Sequence, residues 1–185
     1  MTTRSSLLRR IRDRDDAGAW REFDGLYRPL LMRYARLRGL DRSAAEDVVQ
    51  HCMLAIQSHI GKFDYDPARG RFKAWLRTLV NNRIRKLARV RREQRAGTRE
   101  LAGVADNRAT LDEVFERVWL AEHLRHCLRD LRDEVEERTY QAFERYVIDQ
   151  APVETVCAEL NLSAQQLYRI KWRLTRKLKE RMQAL

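Results

Sequence analysis

Pro152-Val-Glu-Thr-Val-Cys-Ala-Glu-Leu160, Asn161-Leu-Ser163 and Ala164-Gln-Gln-Leu-Tyr-Arg-Ile-Lys-Trp-Arg-Leu-Thr-Arg-Lys-Leu-Lys-Glu180 form the stretch from which the fold is read. Pro152 suits the first turn of a helix, where its missing N–H costs nothing. Val153, Val156, Cys157 and Leu160 then recur at helical spacing. Asn161-Leu162-Ser163 reads as a turn, and Ser163 is the expected cap of a second, longer helix. On that helix Leu167, Ile170, Leu174 and Leu178 fall within about 80° of one another and define a buried stripe. Gln165, Arg169, Trp172, Arg173 and Arg176 cluster within about 100° on the opposite side. The pattern predicts a helix-turn-helix. A glutamine and three arginines on the exposed face suit the major groove of duplex DNA, where such side chains pair with adenine or guanine edges. Lys171 and Lys177 flank the stripe and suit phosphate contact.

Working outward, every other element also reads as helix. The chain of 185 residues has only seven glycines and three prolines, so its elements are long and little interrupted. Thr2 or Thr3 is placed to cap a short helix through Arg12. Asp15 or Asp16 caps a second helix, whose apolar positions run from Trp20 through Phe23, Leu26, Tyr27, Leu30, Leu31 and Tyr34 to Leu37; Pro29 is expected to kink it and Gly39 to end it. Asp41 or Ser43 caps Ala44–Ile60, with Ala45, Val48, Val49, Cys52, Met53 and Ile56 inward. Residues 61–71 hold two glycines and a proline and read as a loop. From Phe72 a stripe of Trp75, Leu76, Leu79 and Val80 gives way to a segment, Asn81–Arg92, that is basic nearly all round. The helix is expected to leave its own core there. Residues 93–110 have no apolar period and read as a flexible linker. Beyond it come helices over 111–131 and 134–149. The expected fold is all-α: two small helical domains, 1–92 and 111–185, joined by the linker, the second a helix-turn-helix.

Charge separates the parts further. The net charge is +11. Residues 69–99 carry twelve Lys or Arg against one acid, Glu93, and residues 161–185 carry seven against one, whereas residues 100–160 carry seven against fifteen acids. Solubility is better served by interspersed charge, so two separated basic blocks point to two polyanion contacts. The longest apolar run, Cys52 to Ile56, is far too short for a membrane span, and the start of the chain lacks a signal-peptide core, so a cytoplasmic protein without membrane insertion is expected. Cys52, Cys127 and Cys157 are odd in number and lie in helical apolar patterns, as reduced core thiols do. His123, His126 and Cys127 lack the further ligands of a zinc site and are read as ordinary helix surface. Phosphate-binding glycine loops and nucleophile or zinc-protease motifs are absent, and Asp64 and Asp66 are too few to hold catalytic metal. No enzyme, metal or cofactor is expected.

Ala45-Glu46-Asp47-Val48-Val49-Gln50, then Phe72-Lys-Ala-Trp75-Leu76 and Asn82, resemble region 2 of bacterial RNA polymerase sigma factors, and the C-terminal helix-turn-helix resembles region 4. The order of parts is similar to the extracytoplasmic-function group of the sigma-70 family, over roughly residues 16–183. The resemblance implies a promoter-specificity subunit that directs transcription initiation. Asp47, Gln50 and Met53 would bind RNA polymerase core. Lys73, Arg77, Asn82, Arg83, Arg85, Lys86 and Arg89, with the 61–71 loop, would open the promoter's minus-ten element and hold it as single strand. Ser163, Gln165, Gln166, Arg169, Lys171, Trp172, Arg173 and Arg176 would bind the minus-thirty-five duplex. Met53 stands where the family usually has an aromatic, and Lys86 where it often has an acid. An anti-sigma factor is a further partner the resemblance admits. A free-standing helix-turn-helix regulator, independent of polymerase, is the alternative reading of the same residues.

Overall fold

The computed structural model describes residues 5–62, 71–95 and 108–184, and every element in them is helical. These are α1 (Ser5–Arg10), α2 (Ala17–Leu37), α3 (Arg42–His59) followed by the 3-10 turn Ile60–Lys62, α4 (Arg71–Arg95), α5 (Arg108–Glu134), α6 (Glu137–Phe143) passing into a π turn over Glu144–Ile148, α7 (Val153–Leu160) and α8 (Ala164–Ala184). The expected Thr2 or Thr3 cap, most of the 61–71 loop and the centre of the 93–110 linker lie outside the described residues. Both ends of that linker are helical, because α4 runs to Arg95 and α5 begins at Arg108. The chain divides into two compact units after Glu122, within α5.

The first unit is set by caps and an aromatic core. The Asp16 carboxylate accepts the Ala19 N–H at 2.8 Å and caps α2. The Arg10 guanidinium donates to the same carboxylate at 2.9 and 3.1 Å. These bonds, Arg10 first and the helix N–H second, hold Asp16 below the usual carboxylate range. α2 continues through Pro29 without a break. An interior proline costs roughly 3 kcal/mol. Phe23, Leu26, Tyr27, Leu30, Leu31 and Tyr34 of α2 are all buried, and burial of each such side chain is worth roughly 1.5–3 kcal/mol, which offsets that cost several times over. At the far end Gly39 takes φ +84°, its N–H bonds the Arg36 carbonyl and the Leu40 N–H bonds that of Ala35. This is the left-handed stop that only a residue without Cβ adopts cheaply. Asp41 caps α3 through the Ala44 N–H at 2.8 Å, and that bond depresses its pKa.

α4 stays with its core longer than its basic composition suggests. Phe72, Leu76 and Val80 are buried, and so are Asn81 and Ile84, with Leu87 half-buried. The Asn81 side-chain oxygen accepts from the Tyr34 hydroxyl at 2.8 Å and from Arg38 Nη1 at 2.7 Å. The first half of α5 closes the same core. Phe115 and Trp119 are fully buried; Phe115 meets Tyr34 edge to face with centroids 5.1 Å apart, and Trp119 lies 5.8 Å from Tyr27, which meets Phe72 at 5.3 Å. Such pairs add about 0.5–1.5 kcal/mol each beyond area burial. Phe115 and Trp119, expected in the second domain's first helix, therefore belong by packing to the first unit.

In the second unit Leu131, Phe143 and Leu174 form one buried cluster, flanked by Leu128, Val135, Val147, Ile170 and Leu178. Ala142, Val156 and Leu167 form another, flanked by Val153, Cys157, Leu160 and Leu162. The expected single helix over 134–149 is two pieces, α6 and the π turn, after which Gln150 takes φ +57°. α7 ends on Asn161 at φ +48°, a conformation asparagine tolerates. The Arg138 guanidinium donates to the carbonyls of Leu160 and Asn161 there, at 2.9 Å from Nε and 2.7 Å from Nη2. It satisfies acceptors that the end of a helix leaves open and pins the turn from which α8 starts.

Candidate nucleic-acid interface

Three surfaces carry the expected site residues, and each is built by one helix. On α3, Asp47 and Gln50 are exposed, while Val48, Val49, Cys52 and Met53 are buried. Helical spacing puts Asp47, Gln50, His51 and Leu54 on one face, and Leu54 is 51% exposed. His51 Nδ1 meets the Asp47 backbone carbonyl at 2.8 Å, which steadies the ring on that face. The sequence pattern named Asp47 and Gln50 but not Leu54; its place at i+4 from Gln50 was the available signal. Met53 is 9% exposed and packs in the core, so it supports this face from beneath. Burial raises the Cys52 thiol pKa to about 12, which leaves it an inert core group.

α4 carries the basic surface. Asn82, Arg85, Lys86 and Arg89 are exposed and Arg83 is half-buried. Asn81 and Asn82 are neighbours with opposite settings, one bonded in the core and one open to solvent. Lys73 and Arg77, earlier on the helix, are engaged from α5. Lys73 pairs with Glu116 and lies over the Trp119 ring at 5.3 Å, and Arg77 pairs with Asp112 at 3.3 Å. Arg33 of α2 completes the series with Glu122 at 2.6 Å. Three acids of the first half of α5 thus meet three bases of this unit. Further along, Arg89 and Glu93 pair only loosely at 3.6 Å.

On α8 the expected reading face is open. Gln165, Arg169, Lys171, Trp172, Arg173 and Arg176 are all exposed, opposite the buried Leu167 and Leu174. Trp172 is 64% exposed, with Arg176 over its ring at 5.5 Å, and Lys171 lies 4.9 Å from the Tyr146 ring. Ser163 and Gln166 form a reciprocal cap: the Gln166 N–H donates to the Ser163 hydroxyl at 3.2 Å and the Ser163 N–H to the Gln166 side-chain oxygen at 2.8 Å. The side-chain oxygen of Gln166 is thereby committed to starting the helix. Lys177 is committed too, for it pairs with Glu134 beside Arg181. These two cations, Arg181 first, hold the Glu134 pKa near 2. His123 is fully buried, which corrects the expectation of an ordinary surface there; Cys127 is buried as a core thiol should be, Leu124 and Arg125 are exposed, and His126 pairs with Asp130 at 3.5 Å.

Residues 25–96 match the family model of Sigma-70 region 2. The matched span covers α3 and α4, the helices that carry the first two surfaces. The match supports a sigma-70 family sigma factor, acting in promoter recognition and transcription initiation. It implies binding to RNA polymerase core and contact with promoter DNA. No curated protein matches the chain. No helix among the described residues is long and apolar enough to cross a membrane.

Proposed function

We propose that the chain is a sigma factor of the extracytoplasmic-function type, which binds RNA polymerase core through α3, opens and holds the minus-ten element along α4, and reads the minus-thirty-five duplex with the α7–α8 helix-turn-helix. The observation that carries the reading is the region 2 match over residues 25–96 together with the sidedness of α3 and α4 within it. Asp47 and Gln50 stand on the solvent face, directly over a core that fixes the helix, so a partner meets preorganised groups. Exposed Asn82, Arg85, Lys86 and Arg89 line one helix, where cations draw in phosphate and the amide supplies a directed bond to an unstacked base. On α8 the glutamine–arginine face is presented by a helix whose start is capped and whose turn Arg138 holds. The chain supplies recognition and melting; polymerase supplies the chemistry.

Comparing a pre-opened minus-ten bubble with the matched duplex tests this reading. With core bound, the bubble should bind more tightly, since it removes a cost of a few kcal/mol for unpairing. Equal affinity for bubble and duplex, whether or not core is present, would favour a free-standing helix-turn-helix regulator instead.

A further inference from the structure

We infer that the first half of α5 is a built-in mask over part of the single-strand-binding surface of α4, an inference that rests on the sigma-factor reading above. Lys73 and Arg77 belong to the same basic helix as Arg85, Lys86 and Arg89, and both are answered by acids from α5. Their partners Glu116 and Asp112 lie one turn apart on α5, matching the one-turn spacing of Lys73 and Arg77 on α4. The result is a ladder of two rungs, and Arg33–Glu122 continues it onto α2.

Anchoring and masking fall to different groups. Phe115 and Trp119 are fully buried among Tyr27, Tyr34 and Phe72, so the helix is held by apolar packing. Asp112 and Glu116 keep about half of their side-chain surface exposed, and Lys73 and Arg77 keep 21% and 29%. With each acid half in water, such pairs add little to stability. A DNA phosphate therefore displaces the carboxylates without dislodging α5. The unbound chain holds Lys73 and Arg77 in internal pairs, which lowers its grip on nucleic acid at large. When polymerase presents the open strand at high local concentration, the phosphates win Lys73 and Arg77.

The test uses the full chain without polymerase and a fluorescein-labelled single-stranded DNA oligonucleotide. Asp112→Asn with Glu116→Gln should tighten binding at low salt. Because two cations become available to phosphate, the salt slope should steepen by about 1.4, so the variant's advantage over wild type should shrink about sevenfold between about 50 and 200 mM salt. Adding Lys73→Gln and Arg77→Gln to this variant should abolish the gain. A control, Asp24→Asn with Glu46→Gln, removes the same charge from acids paired with Arg28 and Arg42. An equal gain in the control, or a gain that survives loss of Lys73 and Arg77, would overturn the mask. Core-dependent initiation, assayed on the same preparations, separates the two claims. Wild type that initiates beside a variant that gains nothing defeats the mask alone. A chain that never initiates with core defeats the sigma reading, while a gain carried by Lys73 and Arg77 would still uphold the mask.

Discussion

Asn81 and Asn82 are adjacent and identical in type, and exchanging either for alanine should do opposite things. Asn81 is 9% exposed, and its side-chain oxygen accepts from the Tyr34 hydroxyl at 2.8 Å and Arg38 Nη1 at 2.7 Å. Asn81→Ala strips both donors of their shared acceptor. Arg38 Nη1 still donates to the Tyr34 hydroxyl oxygen at 3.1 Å, so its loss is partial, while the Tyr34 O–H loses its acceptor. Leaving a buried donor unsatisfied costs about 1–3 kcal/mol, and one of the lost bonds is charge-assisted, which places the expected cost near 2 kcal/mol. For a unit of this size each kcal/mol moves the melting temperature by roughly 3–6 °C, so a drop of about 6–12 °C is expected. Asn82 is exposed, and its alanine variant should stay within about 0.5 kcal/mol of wild type while promoter opening is lost. Circular dichroism melting on both variants, with permanganate footprinting of thymines in the polymerase complex, reads the two effects independently. If Asn81→Ala melts with wild type, or Asn82→Ala opens promoter normally, the roles assigned along α4 are wrong.

Trp119→Ala should destabilise the first unit by about 3–5 kcal/mol, the usual cost of deleting a buried large aromatic, visible as a lower urea midpoint; an unshifted midpoint would show that α5 does not complete that core. Arg169→Ala or Arg173→Ala should remove about 1–3 kcal/mol of base discrimination on a panel of minus-thirty-five variants, whereas Lys177→Ala should act mainly on stability through its Glu134 pair. Unchanged base preference in both arginine variants would move the reading face elsewhere. Glu134 has a folded-state pKa near 2, below its ordinary 4.5, so its contribution is present above about pH 4.5 and is lost as pH falls through 2. Discounted for its exposure, that contribution is under about 1 kcal/mol, and the melting difference between wild type and Glu134→Gln should vanish between those pH values. A difference that grows on acidification would contradict the pairing.

Local features were legible in the sequence, and contacts between distant segments were not. Gly39 and Ser163 could be named as helix ends, and Asp16 and Asp41 as one of two candidates each, because capping depends on the few residues beside them. The stripes of α2, α3 and α8 follow from helical period alone. Charge totals located the basic helix, but the pairs that engage Lys73 and Arg77 join residues far apart in sequence, and composition does not say which acid reaches which base. For the same reason Asn81 was indistinguishable from Asn82: only Tyr34 and Arg38, brought alongside by α2, separate them. The helix expected over 111–131 carried no sign that Trp119 would join the first unit's core, and the sequence left His123 on a surface although it is buried. Gln166 counted as a DNA contact by position, whereas its three-residue distance from Ser163 also fits the reciprocal cap that forms.

Transcription from a promoter library by purified RNA polymerase core, with the chain added and with transcript starts sequenced, tests the central claim most directly. The account predicts discrete starts that appear only when the chain is present and that fall sharply with Asp47→Ala and Gln50→Ala, whose melting temperature stays near wild type because both side chains are exposed. Starts that are the same with and without the chain, or that persist undiminished when Asp47 and Gln50 are both replaced, would contradict it.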